Sequence, residues 1–133
     1  AGSFSKEIET MASKLCSENK KIINFGWTSG EVLSELISCA DLYLQPGSQS
    51  ITMQLAIANY VNVAVYPHEN YVDKFNDSIF YVENSEDLRG LFVRIYNDRN
   101  VLYQKNKKLT QTRCNIPSLD DTLLTINNLI IDK

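Results

Sequence analysis

ADLYLQPGSQSITMQLAIANYVNVAVYP, Ala40 to Pro67, is the stretch that decides the fold of this chain. Leu42-Tyr43-Leu44 reads as a buried strand stopped by Pro46-Gly47. A helix is predicted from about Ser50 to Asn59. Val61 to Tyr66 (VNVAVY) then forms another apolar strand, broken by Pro67. Two strands joined through a helix run parallel, because a tight turn cannot bring the chain back in the same direction. In such a sheet the loop after a strand lies at the carboxyl edge, where ligands bind.

Outward from this unit the same alternation continues. Toward the amino terminus, Phe4 to Cys16 places Phe4, Ile8, Met11, Ala12 and Leu15 on one helical stripe. Ile22-Ile23-Asn24-Phe25 is a short β-rich run stopped by Gly26, and GWTSG is a loop. Thr28 or Ser29 caps a helix from Glu31 to Ser38, with Val32, Leu33, Leu36 and Ile37 on its buried side. Toward the carboxyl terminus, PHENYVDKFND is read as a loop and Ile79 to Val82 as a further strand. Asn84-Ser85 caps a helix from Glu86 to about Tyr96. The polar stretch with Lys105, Lys107, Lys108 and Arg113 extends as a second helix or remains a linker. A last helix opens at Pro117-Ser118 and carries Leu119, Leu123, Ile126 and Ile130 on one face. Short apolar strands alternating with helices predict an α/β fold: a mostly parallel sheet, three layers, helices on both faces. One domain is expected over residues 1–133.

Composition removes several classes of function. With 44% apolar residues in 133, the chain builds one core, not two ordinary ones. A net charge of −3 gives no general attraction to nucleic acid or to an anionic membrane. Lys105 to Arg113 lacks the interleaved aromatics that a nucleic-acid surface uses. Cys16, Cys39 and Cys114 are far apart and His68 is the sole histidine, which speaks against a cysteine-rich zinc site. Asp120-Asp121 suits a helix start, where carboxylates meet the helix dipole; no metal site is expected. Unpaired thiols point to a reducing, cytoplasmic compartment. No run of about 18 apolar residues exists to span a membrane. The start, AGSFSKEIET, lacks an initiator Met, and a segment cut from a longer polypeptide is expected.

Candidate site residues cluster after the strands. Gly47 permits a backbone shape closed to other residues, and Ser48, Gln49 and Ser50 add hydroxyl, amide and main-chain donors suited to a diphosphate or sugar hydroxyl. The bland alternative is an ordinary strand-to-helix turn with a serine cap. Gln54, one turn into the helix, is either a hydroxyl partner or a solvated glutamine. Trp27, beside Gly26 and Thr28, either flanks a planar base or covers the edge of the sheet. His68-Glu69 is either a phosphate grip or acid–base pair, or simply an exposed loop pair.

Ile23-Asn24-Phe25-Gly26-Trp27, followed by Ala40-Asp41-Leu42-Tyr43-Leu44-Gln45-Pro46-Gly47, resembles the carboxyl-terminal half of GT-B-type glycosyltransferases. The order of elements is similar from about Ser3 to Val82. This resemblance implies a Rossmann-like fold and a nucleotide-sugar donor, with no other cofactor and no metal. It implies that Gly26, Trp27 and Thr28 lie near the base. Gly47, Ser48, Gln49 and Ser50 would hold phosphate and sugar. Gln54 falls where the family's ribose-binding helix Glu stands, and Tyr60 and Asn62 stand where Gly and Pro are usual. The acceptor, a glycan or lipid-linked sugar, would bind an amino-terminal half that this sequence does not contain. Catalytic residues are not assigned.

Overall fold

The computed structural model describes residues 6–45, 47 and 51–113. These fall into two compact units, divided between Cys39 and Ala40. The final predicted helix, from Pro117, lies outside the described residues.

The first unit carries two helices, α1 (Lys6–Glu18) and α2 (Gly30–Ser38). Ser29 caps α2: its Oγ accepts the Val32 N–H at 3.3 Å, and Glu31 occupies the first turn. On α1, Ala12 is buried while Ile8, Met11 and Leu15 of the expected stripe are half-exposed or more. Ile22 to Phe25 is not a strand. The Ile22 N–H goes to the Asn19 carbonyl at 2.9 Å, and Asn24 Oδ1 accepts the Gly26 N–H at 2.9 Å. Gly26, at φ +60, completes this turn. β-branched residues favour a strand only where a neighbour completes the ladder. Here a local turn takes the Ile22 donor, and the Asn24 side chain turns the backbone at Gly26.

The second unit is α/β. Its order is β1 (Leu42–Gln45), α3 (Ile51–Ala58), β2 (Asn62–Val65), α4 (Glu69–Phe75), a 3-10 turn (Asn76–Ser78), β3 (Phe80–Tyr81), α5 (Ser85–Asn97) and α6 (Asn100–Arg113). The three strands form one parallel sheet in the order β1-β2-β3, with Leu44 opposite Ala64 and Val65 opposite Tyr81. The architecture is consistent with a Rossmann-like fold. All four residues of β2 are buried, as expected for a central strand covered on both faces.

Side-chain alternation assigns the layers. Leu42, Leu44, Ala64, Phe80 and Val82 face one way and pack with Leu88, Leu91 and Ile95 of α5 and with Val101 and Leu102 of α6. Tyr43, Gln45, Val63, Val65 and Tyr81 face the other way. Tyr43 bonds Thr52 of α3 there, and the Tyr81 hydroxyl donates to the Tyr71 carbonyl of α4 at 3.1 Å. Asn84 caps α5 by accepting from Glu86 and Asp87 N–H at 2.9 and 3.0 Å, and Asp87 reaches back to the Glu83 N–H at 3.1 Å. The segment read as a loop from Pro67 to Asp77 instead contains α4. Seven residues are too few for a helix to stand alone, so tertiary contacts hold it: Phe75 is buried and Tyr71 is tied to Tyr81.

The end of α3 uses a glycine-type turn without a glycine. The Val61 N–H bonds the Ala56 carbonyl at 3.0 Å and the Tyr60 N–H bonds the Ile57 carbonyl at 3.1 Å. Tyr60 lies between them at φ 59, the left-handed position that closes a Schellman motif. Its carbonyl accepts from Asn106 of α6. A tyrosine there bears a steric cost of about 1–2 kcal/mol that glycine does not. Tyr60 is 53% exposed, so its side chain returns little of that by burial. Tyr60→Gly should therefore raise the unfolding free energy by about 1 kcal/mol, read as a higher urea midpoint with an unchanged slope.

Candidate functional site

A parallel sheet sends every strand's carboxyl end to the same edge. In the second unit that edge collects Gln45 and Gly47 after β1, Tyr66 to His68 after β2, and Glu83-Asn84 after β3. The residues between β1 and α3 that bear most of the predicted donors, Ser48, Gln49 and Ser50, lie outside the described residues. Gly47 is described and is exposed. A Cβ built on it would meet no described atom within 4 Å beyond its chain neighbours. The glycine that needs its freedom is Gly26.

Both ends of this connection are visible and are tied together. Tyr43 Oη donates to Gln45 Oε1 at 2.6 Å and lies 2.5 Å from Thr52 Oγ1. Tyr43 and Gln45 share a face because they are two apart on β1, and α3 brings Thr52 onto that face. Gln54 stands on the exposed side of α3, opposite the buried Met53, Ala56 and Ile57.

His68 is half-buried and serves as the residue before α4, in extended backbone at φ −70 and ψ 142. Its carbonyl accepts from the Tyr71 and Val72 N–H groups at 2.8 and 3.0 Å. Its ring lies between two tyrosines, edge-on to Tyr66 with centroids 5.2 Å apart and to Tyr71 at 5.9 Å. Tyr71 is held in turn by the Tyr81 hydroxyl, whose pKa burial and then the nearby Asp77 carboxylate push up to about 12. Tyr81 therefore remains a donor at any physiological pH. Among the described residues, His68 and Glu69 form no ion pair, so an acid–base couple is not assembled. The imidazole is packed as one ring in an aromatic row.

Gly26, Trp27 and Thr28 belong to the first unit, on the turn after Asn24. Trp27 is 82% exposed. Among the described residues, no group of three or more His, Cys, Asp and Glu side chains is placed to hold a metal ion. None of the helices described is long and apolar enough to cross a membrane. A hollow of about 690 Å³ lies elsewhere, lined by Phe92, Val93, Ile95, Tyr96 and Arg99. Arg99 pairs with Asp41, just before β1, so this end of α5 lies toward the amino edge. No family model, no curated protein and no solved structure matches this chain.

The basic stretch is a helix, α6, and two of its lysines are engaged. Lys105 Nζ donates to the Asp77 carbonyl at 2.6 Å and to its Oδ1 at 2.5 Å, and lies 5.2 Å from the centre of the Phe80 ring. Lys108 bonds the other carboxylate oxygen, and Thr112 bonds Ser78. The Lys105 hydrogen bond, followed by that from Lys108, lowers the Asp77 pKa from 3.8 to about 2. A depressed carboxylate pKa stabilises the folded chain above the unfolded value, and that contribution disappears as the pH falls from about 4 to about 2. Because Asp77 is largely exposed, the contribution is at most about 1 kcal/mol. Asp77→Asn should lower stability at pH 7 by that order and flatten the loss of Tm below pH 4, checked by thermal melts across that range.

Proposed function

We propose that this chain is the donor-binding half of a GT-B-type glycosyltransferase and holds a nucleotide sugar at the carboxyl edge of its sheet. The observation that carries the reading is the parallel β1-α3-β2-α4-β3 run, which brings the Gly47 connection and the His68 turn to one edge. The diphosphate sits at the Gly47 connection, where main-chain N–H groups and the start of α3 offset its negative charge. Ser48, Gln49 and Ser50 supply further donors. Gln54, exposed on α3, reaches a ribose or sugar hydroxyl, and the Tyr66–His68 aromatic row borders the sugar. Amides and dipoles stabilise the leaving nucleoside diphosphate without a metal. The acceptor hydroxyl, on a glycan or lipid-linked sugar, attacks the anomeric carbon, and its base comes from a companion domain. The whole enzyme works in cell-surface polysaccharide synthesis on the cytoplasmic side.

A second reading, a non-enzymatic interaction module of flavodoxin-like form, draws on the exposed Phe92, Val93 and Tyr96 of α5. Calorimetric titration with uridine and guanosine diphosphates separates the two. Saturable binding of one nucleotide is expected, weakened about fivefold by Gln54→Ala, the worth of one neutral hydrogen bond of about 1 kcal/mol. Ser48→Trp should abolish it by filling the phosphate position. No heat with either nucleotide at millimolar concentration rejects the donor-site reading. Robust sugar transfer by the 133-residue chain alone would refute the need for a companion domain.

A further inference from the structure

We infer that the chain's own residues 118–131 pack as a helix on the outer face of α5, an inference that goes beyond the donor-site reading and does not rest on it. Residues three and four apart share a helix face. On α5 that spacing aligns Arg89, Phe92, Val93 and Tyr96, with Arg99 just past the helix end. All five are exposed, Tyr96 to 88%, and the hollow of about 690 Å³ opens along the same stripe. The inner side of α5 is already covered, because Leu88, Leu91 and Ile95 pack on the sheet. Arg99 meets Asp41 through one nitrogen, so its guanidinium has further N–H donors. An apolar stripe with a cation at each end fits a partner whose apolar stripe ends in anions.

The chain itself supplies that pattern. The helix predicted from Pro117-Ser118 carries Leu119, Leu123, Ile126 and Ile130 on one face, with Asp120 and Asp121 at its start and Asp132 past its end. Arg89 to Arg99 and Asp121 to Asp132 span nearly equal lengths, each about 15 Å of helix. Charge agrees as well. Residues 85–113 hold seven basic and three acidic side chains, net +4, and residues 114–133 hold one and three, net −2. So does reach. α6 starts beside the hollow, next to Arg99, and its far end at Arg113 stands about 20 Å away. A short link over residues 114–117 and a helix of about 14 residues cover that return. A helix so short is marginal alone in water, so an apolar surface must hold it.

Amide exchange on the full chain tests this. Amides of residues 123–130 should exchange about tenfold more slowly than in a free peptide of residues 114–133. Val93→Glu should bring them to within about twofold of the peptide, because it sets a charge against the apolar face. Tyr96→Ser should quicken them about threefold, and the exposure of that ring keeps the core out of the measurement. Exchange at Val63 to Val65 should not change; if it quickens in Val93→Glu, Tyr96→Ser decides. Reciprocally, Leu123→Asp should shift the ring resonances of Phe92 and Tyr96 and leave those of His68 in place. Free-peptide exchange in the unaltered chain overturns the inference. So does slow exchange that Tyr96→Ser leaves unchanged, and so do unmoved Phe92 and Tyr96 rings in Leu123→Asp. Slow exchange that sets in only between about 10 and 500 µM, with a dimer mass in sedimentation, also overturns it, because a second copy is then the occupant.

Discussion

The second unit depends on β2 pairing in parallel with strands on both sides. Asn62 to Val65 supply only four residues, yet each is buried and each bonds across to a neighbour. A parallel pair cannot be closed by a short turn, so this strand forces α3 and α4 to serve as crossovers. Those crossovers place every loop that follows a strand at one edge. Their helices must then cover one face of the sheet, which leaves the other face for α5 and α6. The layer order, the core and the edge therefore follow from the position of one buried strand.

Much of this was legible because the residues concerned have one physical use. VNVAVY has no polar face, so it fits a strand covered on both sides. Ser29 and Asn84 precede apolar helical spacing and cap α2 and α5 through their side-chain oxygens. Ile22 to Phe25 misled because β propensity describes a pleated, supported surface, and propensity alone does not say whether a neighbouring strand exists. The Asn19 and Asn24 turns were the competing signal. α4 was missed because its stability is tertiary. Tyr71 and Phe75 have helical spacing, but only the Tyr81 hydroxyl and burial make that spacing count.

The candidate site divides in the same way. That Gly47 and His68 fall at a shared edge follows from strand order and could be read in advance. The backbone angle at a glycine could not. Tyr60, a residue with every steric reason to avoid the left-handed region, adopts φ 59. Residue type thus marks where a left-handed turn is cheap, while the closing hydrogen bonds from Tyr60 and Val61 to α3 decide where it occurs. The Tyr43 contacts were hidden for a related reason. Tyr43, Gln45 and Thr52 are unremarkable as types, and only the strand's two-residue period with α3 packed above it brings them together.

The direction of the sheet also distributes its charges. Asp41 precedes β1 and holds Arg99, and Asp77 precedes β3 and holds Lys105 and Lys108. Both carboxylates therefore engage their cations at the amino edge, where the chain enters the strands. At the carboxyl edge stand the Gln45 amide, the Tyr66 phenol, the His68 ring and, after β3, the Glu83 carboxylate beside Asn84. Ion pairs of this exposed kind contribute little to folding, but they tie the entries of β1 and β3 to Arg99 and to α6.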